Sequence, residues 1–170
     1  AEAHHIPILC VGTELQTTAV KRPQDWRQLI GEIRQVYSGQ LTYAANWYQA
    51  FEEIPFWDDF DFIGIQAYFP LTDTVQPSLD ELKAGWREHL PAIEAVHNQY
   101  QKPVIFTELG YRSADDAAIE PWQWPDANSE EQSTATTASA LATQANCYEA
   151  FFQTVWPQDW LAGVYIWKWF

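Results

Sequence analysis

The chain has 170 residues, 47% hydrophobic and 16% aromatic, enough for one domain with a sizeable core and too apolar for global disorder. Its 23 acidic side chains against 9 basic ones give a formal net charge of -14, which opposes binding to nucleic-acid phosphates. No run of 18 apolar residues occurs, so no membrane-spanning helix is expected, and AEAHHIPIL does not have the pattern of a signal peptide.

Residues 1–5 read as the tail of a helix or as loop. Residues 6–14, IPILCVGTE, form an apolar run that ends in Thr13-Glu14 and predicts a first strand. Residues 16–22 are polar and read as loop. Pro23 and Asp25 open a helix that runs to about residue 38, with Trp26, Leu29, Ile30, Ile33 and Tyr37 at three- and four-residue steps. Gly39 is its expected stop. Residues 41–47, LTYAANW, predict a second strand ending in Asn46-Trp47. A short aromatic connection with Phe51, Phe56 and Trp57 leads to a third strand, FDFIGIQAY, at residues 60–68.

Ser78 and Glu81 have the spacing of a capping box, and the helix they open keeps its apolar period to Tyr100. Pro91 is expected to kink that helix or to start a second segment. Residues 104–108, VIFTE, are the fourth strand. A long loop follows and carries PWQWP, a loop length that usually signals function or disorder. Residues 129–155 look helical, and GVYIWKW at 163–169 is the fifth strand. This alternation predicts an α/β fold with a parallel sheet and helical crossovers.

Two strands far apart in the chain each finish in Thr-Glu-Leu, at Glu14 and at Glu108. One carboxylate at a strand tip reads equally well as a solvated residue. Two at the same place in two strands form the kind of pair that glycoside hydrolysis uses, and strand tips are where a parallel barrel gathers its catalytic groups. Tryptophan on loops suits stacking against the apolar faces of sugar rings. Cys10 and Cys147 are expected as two buried free thiols. His4, His5, His89 and His97 lack metal-ligand spacing, and Asp58, Asp59 and Asp61 read as a solvated entry to the third strand, with calcium binding the lesser alternative. There is no Gly-rich phosphate loop or dinucleotide fingerprint, so neither a cofactor nor a metal is expected.

The segments VGTEL, TYAANW, DFIGIQAYFPL, KPVIFTELGYRS and GVYIWKW touch every predicted strand in order. On them the sequence resembles glycoside hydrolase family 113, the retaining β-mannanase-like members of the (β/α)8 glycosidase clan. The resemblance implies a partial TIM barrel, strands four to eight with their helices. Residues 1–170 would then be a single domain lacking the first three strand–helix units. An open parallel sheet leaves two edges and one bare face, which favours a portion of a longer enzyme over a free-standing half-barrel.

The resemblance further implies that Glu14 is the general acid/base and Glu108 the nucleophile. Asn46 and Trp47 would stand near the cleaved sugar, and Tyr68 would hydrogen-bond the nucleophile. Trp167 or Trp169 would floor the subsite of that sugar. Thr13 stands where the larger clan has Asn, which leaves the contact to the sugar 2-hydroxyl open. Arg112 either steadies the Glu108 anion or serves in an outer salt bridge; Trp122 and Trp124 either meet distal sugars or pack the long loop. The implied activity is endo-acting, retaining hydrolysis of β-1,4-mannan or a related β-glycan, with a β-linked oligo- or polysaccharide as partner. For retention the two carboxyls should stand about 5–5.5 Å apart; a separation near 9 Å would indicate inversion. The competing class is a carbohydrate-binding or scaffold barrel without turnover.

Overall fold

A computed structural model of the chain describes residues 1–123 and 137–167. Its sheet has five strands: β1 (Ile8–Thr13), β2 (Gln40–Asn46), β3 (Ile63–Gln66), β4 (Val104–Leu109) and β5 (Leu161–Ile166). Their spatial order follows their chain order. β1 to β4 pair in parallel, and β5 lies beside β4, where the Val104 amide donates to the Trp160 carbonyl at 2.8 Å. The helices are α1 (Gln16–Lys21), α2 (Pro23–Val36), α3 (Ala50–Glu53), α4 (Leu79–Tyr100) and α5 (Ala138–Thr154). β2 and β3 are buried almost throughout, which is why they read as unbroken apolar runs. β1 and β5 have only one neighbouring strand among the described residues and are correspondingly more exposed.

The chain divides into two compact units. The first comprises Ala1–Ala67, Ala92–Glu108 and Asp159–Tyr165. Its core is an aromatic wedge. Trp26 of α2 stacks on Phe56 at 5.8 Å and meets Tyr43 of β2 edge-on at 5.3 Å. Trp57 and Phe60 continue the cluster, and the Trp57 indole donates to the Phe51 carbonyl at 2.8 Å. The aromatic connection between β2 and β3 is therefore core. Gly64 has no room for a side chain, since a Cβ there would run into the Tyr43 carbonyl.

Two arginines of α2 fix the same connection from outside. Arg27 grips Asp58, Asp59 and the Pro55 carbonyl; Arg34 reaches Asp61 at 2.6 Å. Asp61 in turn accepts from the Leu41 amide at 2.7 Å. The acidic trio expected as a solvated strand entry is thus ion-paired. The Arg27 guanidinium holds the Asp58 carboxyl below the usual carboxylate range.

Other expectations also change. Residues 16–21, read as loop, form α1: the Leu15 carbonyl accepts from the Thr18 and Ala19 amides, and only Ala19 is buried. A short polar helix with one buried alanine has no apolar stripe for periodicity to detect. α2 ends at Val36, and Tyr37 is extended with its hydroxyl donating to the Ile6 carbonyl at 2.6 Å. Gly39 is not left-handed and does not cap the helix; it makes room for the Tyr37 ring. Cys10, expected buried, is exposed among the described residues; Cys147 is buried, and both thiols are free.

The second unit comprises the described parts of Tyr68–Pro91, Leu109–Gln158 and Ile166–Phe170. The expected capping box is present: the Ser78 amide donates to Glu81 at 2.8 Å and the Glu81 amide to Ser78 Oγ at 3.3 Å. α4 is one helix with Pro91 inside it. Trp86 of α4 packs against Phe69 and Phe151, and Gly85 lets the Leu71 backbone lie against the helix. α5 starts at Ala138, with Thr137 Oγ1 accepting from the Ala140 amide at 3.1 Å. The earlier part of the helix expected over 129–155 lies outside the described residues.

Replacing Ser78 with Ala removes one half of the capping box and should cost about 1 kcal/mol in urea unfolding. Burial pushes the Cys147 thiol from an ordinary 9.0 up to about 12 and raises the Tyr111 and Tyr148 phenols as well. On unfolding these groups release their protons at lower pH than when folded. Stability from this source is therefore complete below about pH 9 and lost as pH rises towards 12. Unfolding midpoints measured from pH 7 to 11 should be flat and then fall, and Cys147→Ala should make the fall shallower.

Candidate active site

The strands of the first unit bring four polar residues to the same, C-terminal end of the sheet. Glu14 follows the last residue of β1, Asn46 ends β2, Gln66 ends β3 and Glu108 is the penultimate residue of β4. Register explains their company. Asn46 pairs with Gln66, and Gln66 pairs with Glu108, so three of the four lie in one row across the sheet. Glu14 joins the row through its backbone, whose amide donates to the Ala44 carbonyl of β2 at 2.9 Å.

Both carboxylate strands carry an irregularity just before the tip. From Cys10 to Thr13, β1 uses one residue more than β2 uses from Thr42 to Ala44. From Phe106 to Glu108, β4 uses one more than β3 uses from Ile65 to Gln66. An additional residue reverses the in–out alternation of the positions after it and re-aims the next side chain. Glu14 is also held in the left-handed region, at φ 52°, which is unfavourable for a residue with a Cβ and recurs at functional sites.

Each carboxylate is gripped by a carboxamide from the neighbouring strand. Asn46 Nδ2 donates to Glu14 Oε1 at 2.9 Å, and Asn46 Oδ1 accepts from the Tyr48 amide at 3.0 Å, so the amide is fixed at both ends. Gln66 Nε2 donates to Glu108 Oε1 at 2.7 Å. Glu14 is exposed, whereas Glu108 is partly buried. Beneath Glu14, burial pushes the Tyr43 phenol up to about 12; the Leu15 backbone opposes the shift, while Cys10 and the Glu14 charge add to it. The arrangement offers one solvent-facing acid and one seated acid at a common end of the sheet.

The remaining candidates take varied places. Trp47 is partly buried and meets the exposed Tyr48 ring at 5.4 Å. Thr13 is exposed, with Cys10 Sγ 4.0 Å from its hydroxyl. In the second unit Tyr68 is buried, while Trp122 and Trp167 are exposed. Arg112 there donates to Asp116 and to the Gln123 carbonyl, an ion pair within its own loop. Trp124 and Trp169 lie outside the described residues. His89 and His97 each hydrogen-bond a backbone carbonyl at 2.8 Å, and no group of side chains suited to a metal ion is found among the described residues.

Gln66 is the site residue that sequence pattern did not single out. Its signal was a lone amide in the otherwise apolar run FIGIQAY, two residues before Tyr68.

The model of Glycoside Hydrolase Family 113 matches residues 1–170. The chain belongs to glycoside hydrolase family 113. A GH113 β-mannanase from Alicyclobacillus acidocaldarius is 29% identical, with a TM-score of 0.77. A GH113 β-1,4-mannanase is 32% identical, with a TM-score of 0.78. In both cases 99% of this chain is covered but only 47% of the other, so this GH113 chain spans about half the length of those relatives. The fold is accordingly part of a (β/α)8 barrel. A β-glucuronidase from Ruminococcus gnavus, 14% identical with a TM-score of 0.66, covers 95% of this chain and 26% of its own and shares the fold alone. No curated protein matches the chain.

The left-handed backbone at Glu14 can be tested apart from any chemistry. Glu14→Gly should be more stable than Glu14→Ala by about 1 kcal/mol, because only glycine accepts that conformation freely. Equal or reversed stabilities in urea unfolding would show that position 14 is not left-handed.

Proposed function

We propose that this chain carries both catalytic carboxyls of a retaining glycosidase acting on β-1,4-mannan or a related β-glycan. One observation carries the reading: Glu14 and Glu108 stand at one end of the sheet, each held by a carboxamide from the adjacent strand. Family membership and the two β-mannanase relatives support the substrate class.

In the proposed double displacement, Glu14 donates its proton to the leaving glycosidic oxygen while Glu108 attacks the anomeric carbon and forms a glycosyl-enzyme. Glu14, now a carboxylate, takes a proton from water, which attacks the same carbon and releases Glu108. The exposed position of Glu14 suits repeated proton exchange with solvent. The Gln66 amide fixes the orientation of Glu108 by direct donation.

β1 and β4 are three inter-strand steps apart, about 14 Å across a flat sheet. Retention needs roughly 5–5.5 Å between the two carboxyls, so the reading requires barrel curvature to close that span. The rest of the barrel would come from strand–helix units outside these residues, consistent with the share of the relatives that the chain spans.

Assay of the full-length protein on mannan, glucan and xylan tests the reading. Mannan should be hydrolysed with retention of the β-anomer, read by NMR. Glu14→Gln should lower kcat by roughly 10²–10⁴-fold and Glu108→Gln by at least as much. Wild-type turnover in both variants would remove these residues from the chemistry, an α-anomeric product would exclude retention, and binding without turnover would favour a carbohydrate-binding barrel.

A further inference from the structure

Gln66 is held to Glu108 by one end only. It is 4% exposed, and its Oε1 is buried with no hydrogen-bond partner among the described residues. The orientation of the amide is not arbitrary. Turning it over would place Oε1 against the Glu108 carboxylate, oxygen against oxygen, so Nε2 has to face β4. Asn46 makes the contrast plain, since its second end is satisfied by the Tyr48 amide.

A buried acceptor without a partner destabilises a fold. Methionine or leucine, apolar and of similar length, would occupy the buried end of β3 without leaving an acceptor unpaired. The benefit of an amide here therefore lies in its donor, and the donor is directed at a carboxylate oxygen 2.7 Å away. β3 is itself fully buried, so the amide is carried on a rigid element in register with its target.

We infer that Gln66 is a positioning residue that orients the Glu108 carboxylate for attack on the anomeric carbon, retained at the expense of fold stability. The inference rests on the reading of Glu108 as nucleophile. Gln66 acts through the Glu108 carboxylate, to whose Oε1 its Nε2 donates. A donor to a charged acceptor governs the orientation of that group, so its loss slows the attack more than it weakens substrate binding.

The test isolates the attack step. Wild-type and Gln66→Met forms of the full-length protein are treated with a 2,4-dinitrophenyl 2-deoxy-2-fluoro-β-mannobioside. Dinitrophenolate leaves as the Glu108 carboxylate takes its place, and the fluoroglycosyl-enzyme accumulates and is followed by mass. The wild type should be labelled at Glu108. Gln66→Met should be labelled roughly 10- to 100-fold more slowly, with little change in the half-saturating concentration and a melting temperature at or above that of the wild type. Gln66→Glu, which faces one carboxylate with another, should be slower still at neutral pH.

Labelling of Gln66→Met at the wild-type rate would overturn the inference while leaving Glu108 as nucleophile. A lower melting temperature or failure to fold in Gln66→Met would assign Gln66 to the fold and overturn it equally. Labelling of the wild type at a residue other than Glu108, or no labelling, would remove the proposed nucleophile and the inference with it.

Discussion

Parallel register across β2, β3 and β4 is the constraint from which the candidate site derives. Asn46, Gln66 and Glu108 occupy one row because backbone hydrogen bonds lock the three strands at that offset. A shift of one residue in any of them would turn a polar tip residue towards the opposite face. The amides could then no longer meet the carboxylates. Side-chain hydrogen bonds at the tips are thus a consequence of main-chain pairing deeper in the sheet.

That pairing is backed by packing on the helix side. Trp26, Phe56, Trp57 and Phe60 fill the space between α2 and the sheet, and each is buried. Burial of such rings is worth a few kcal/mol apiece by area, far more than the half-exposed ion pairs around them. The arginine–aspartate pairs act instead as locators. Asp61 receives Arg34 on one side and the first buried amide of β2 on the other, so it ties the helix to the start of that strand.

Much of this was legible in the chain. All five strands, the capping box at Ser78, the aromatic turn after β2 and the two Thr-Glu-Leu tips could be read from residue pattern, because apolar runs and capping spacings are local signals. α1 could not, since its single buried alanine leaves no stripe. The surroundings of Cys10 depend on which elements lie beside β1, which no local window records. Gln66 was hidden for a related reason. Its partner lies on the next strand, far along the chain, and only the register reveals that the two meet. Pairing of the acidic trio with Arg27 and Arg34 was likewise a property of helix placement.

The additional residue before each carboxylate has an evolutionary consequence. A mutation that deleted one codon from the Val11-Gly12 step, or Thr107 from β4, would restore regular alternation and leave a sheet that still pairs. Such a lesion would turn one of the two glutamates away from its carboxamide without demanding a new fold. Descendants of this gene that keep both glutamates yet lack one of those positions would carry a re-aimed strand tip, recognisable from a one-residue shortening of that strand.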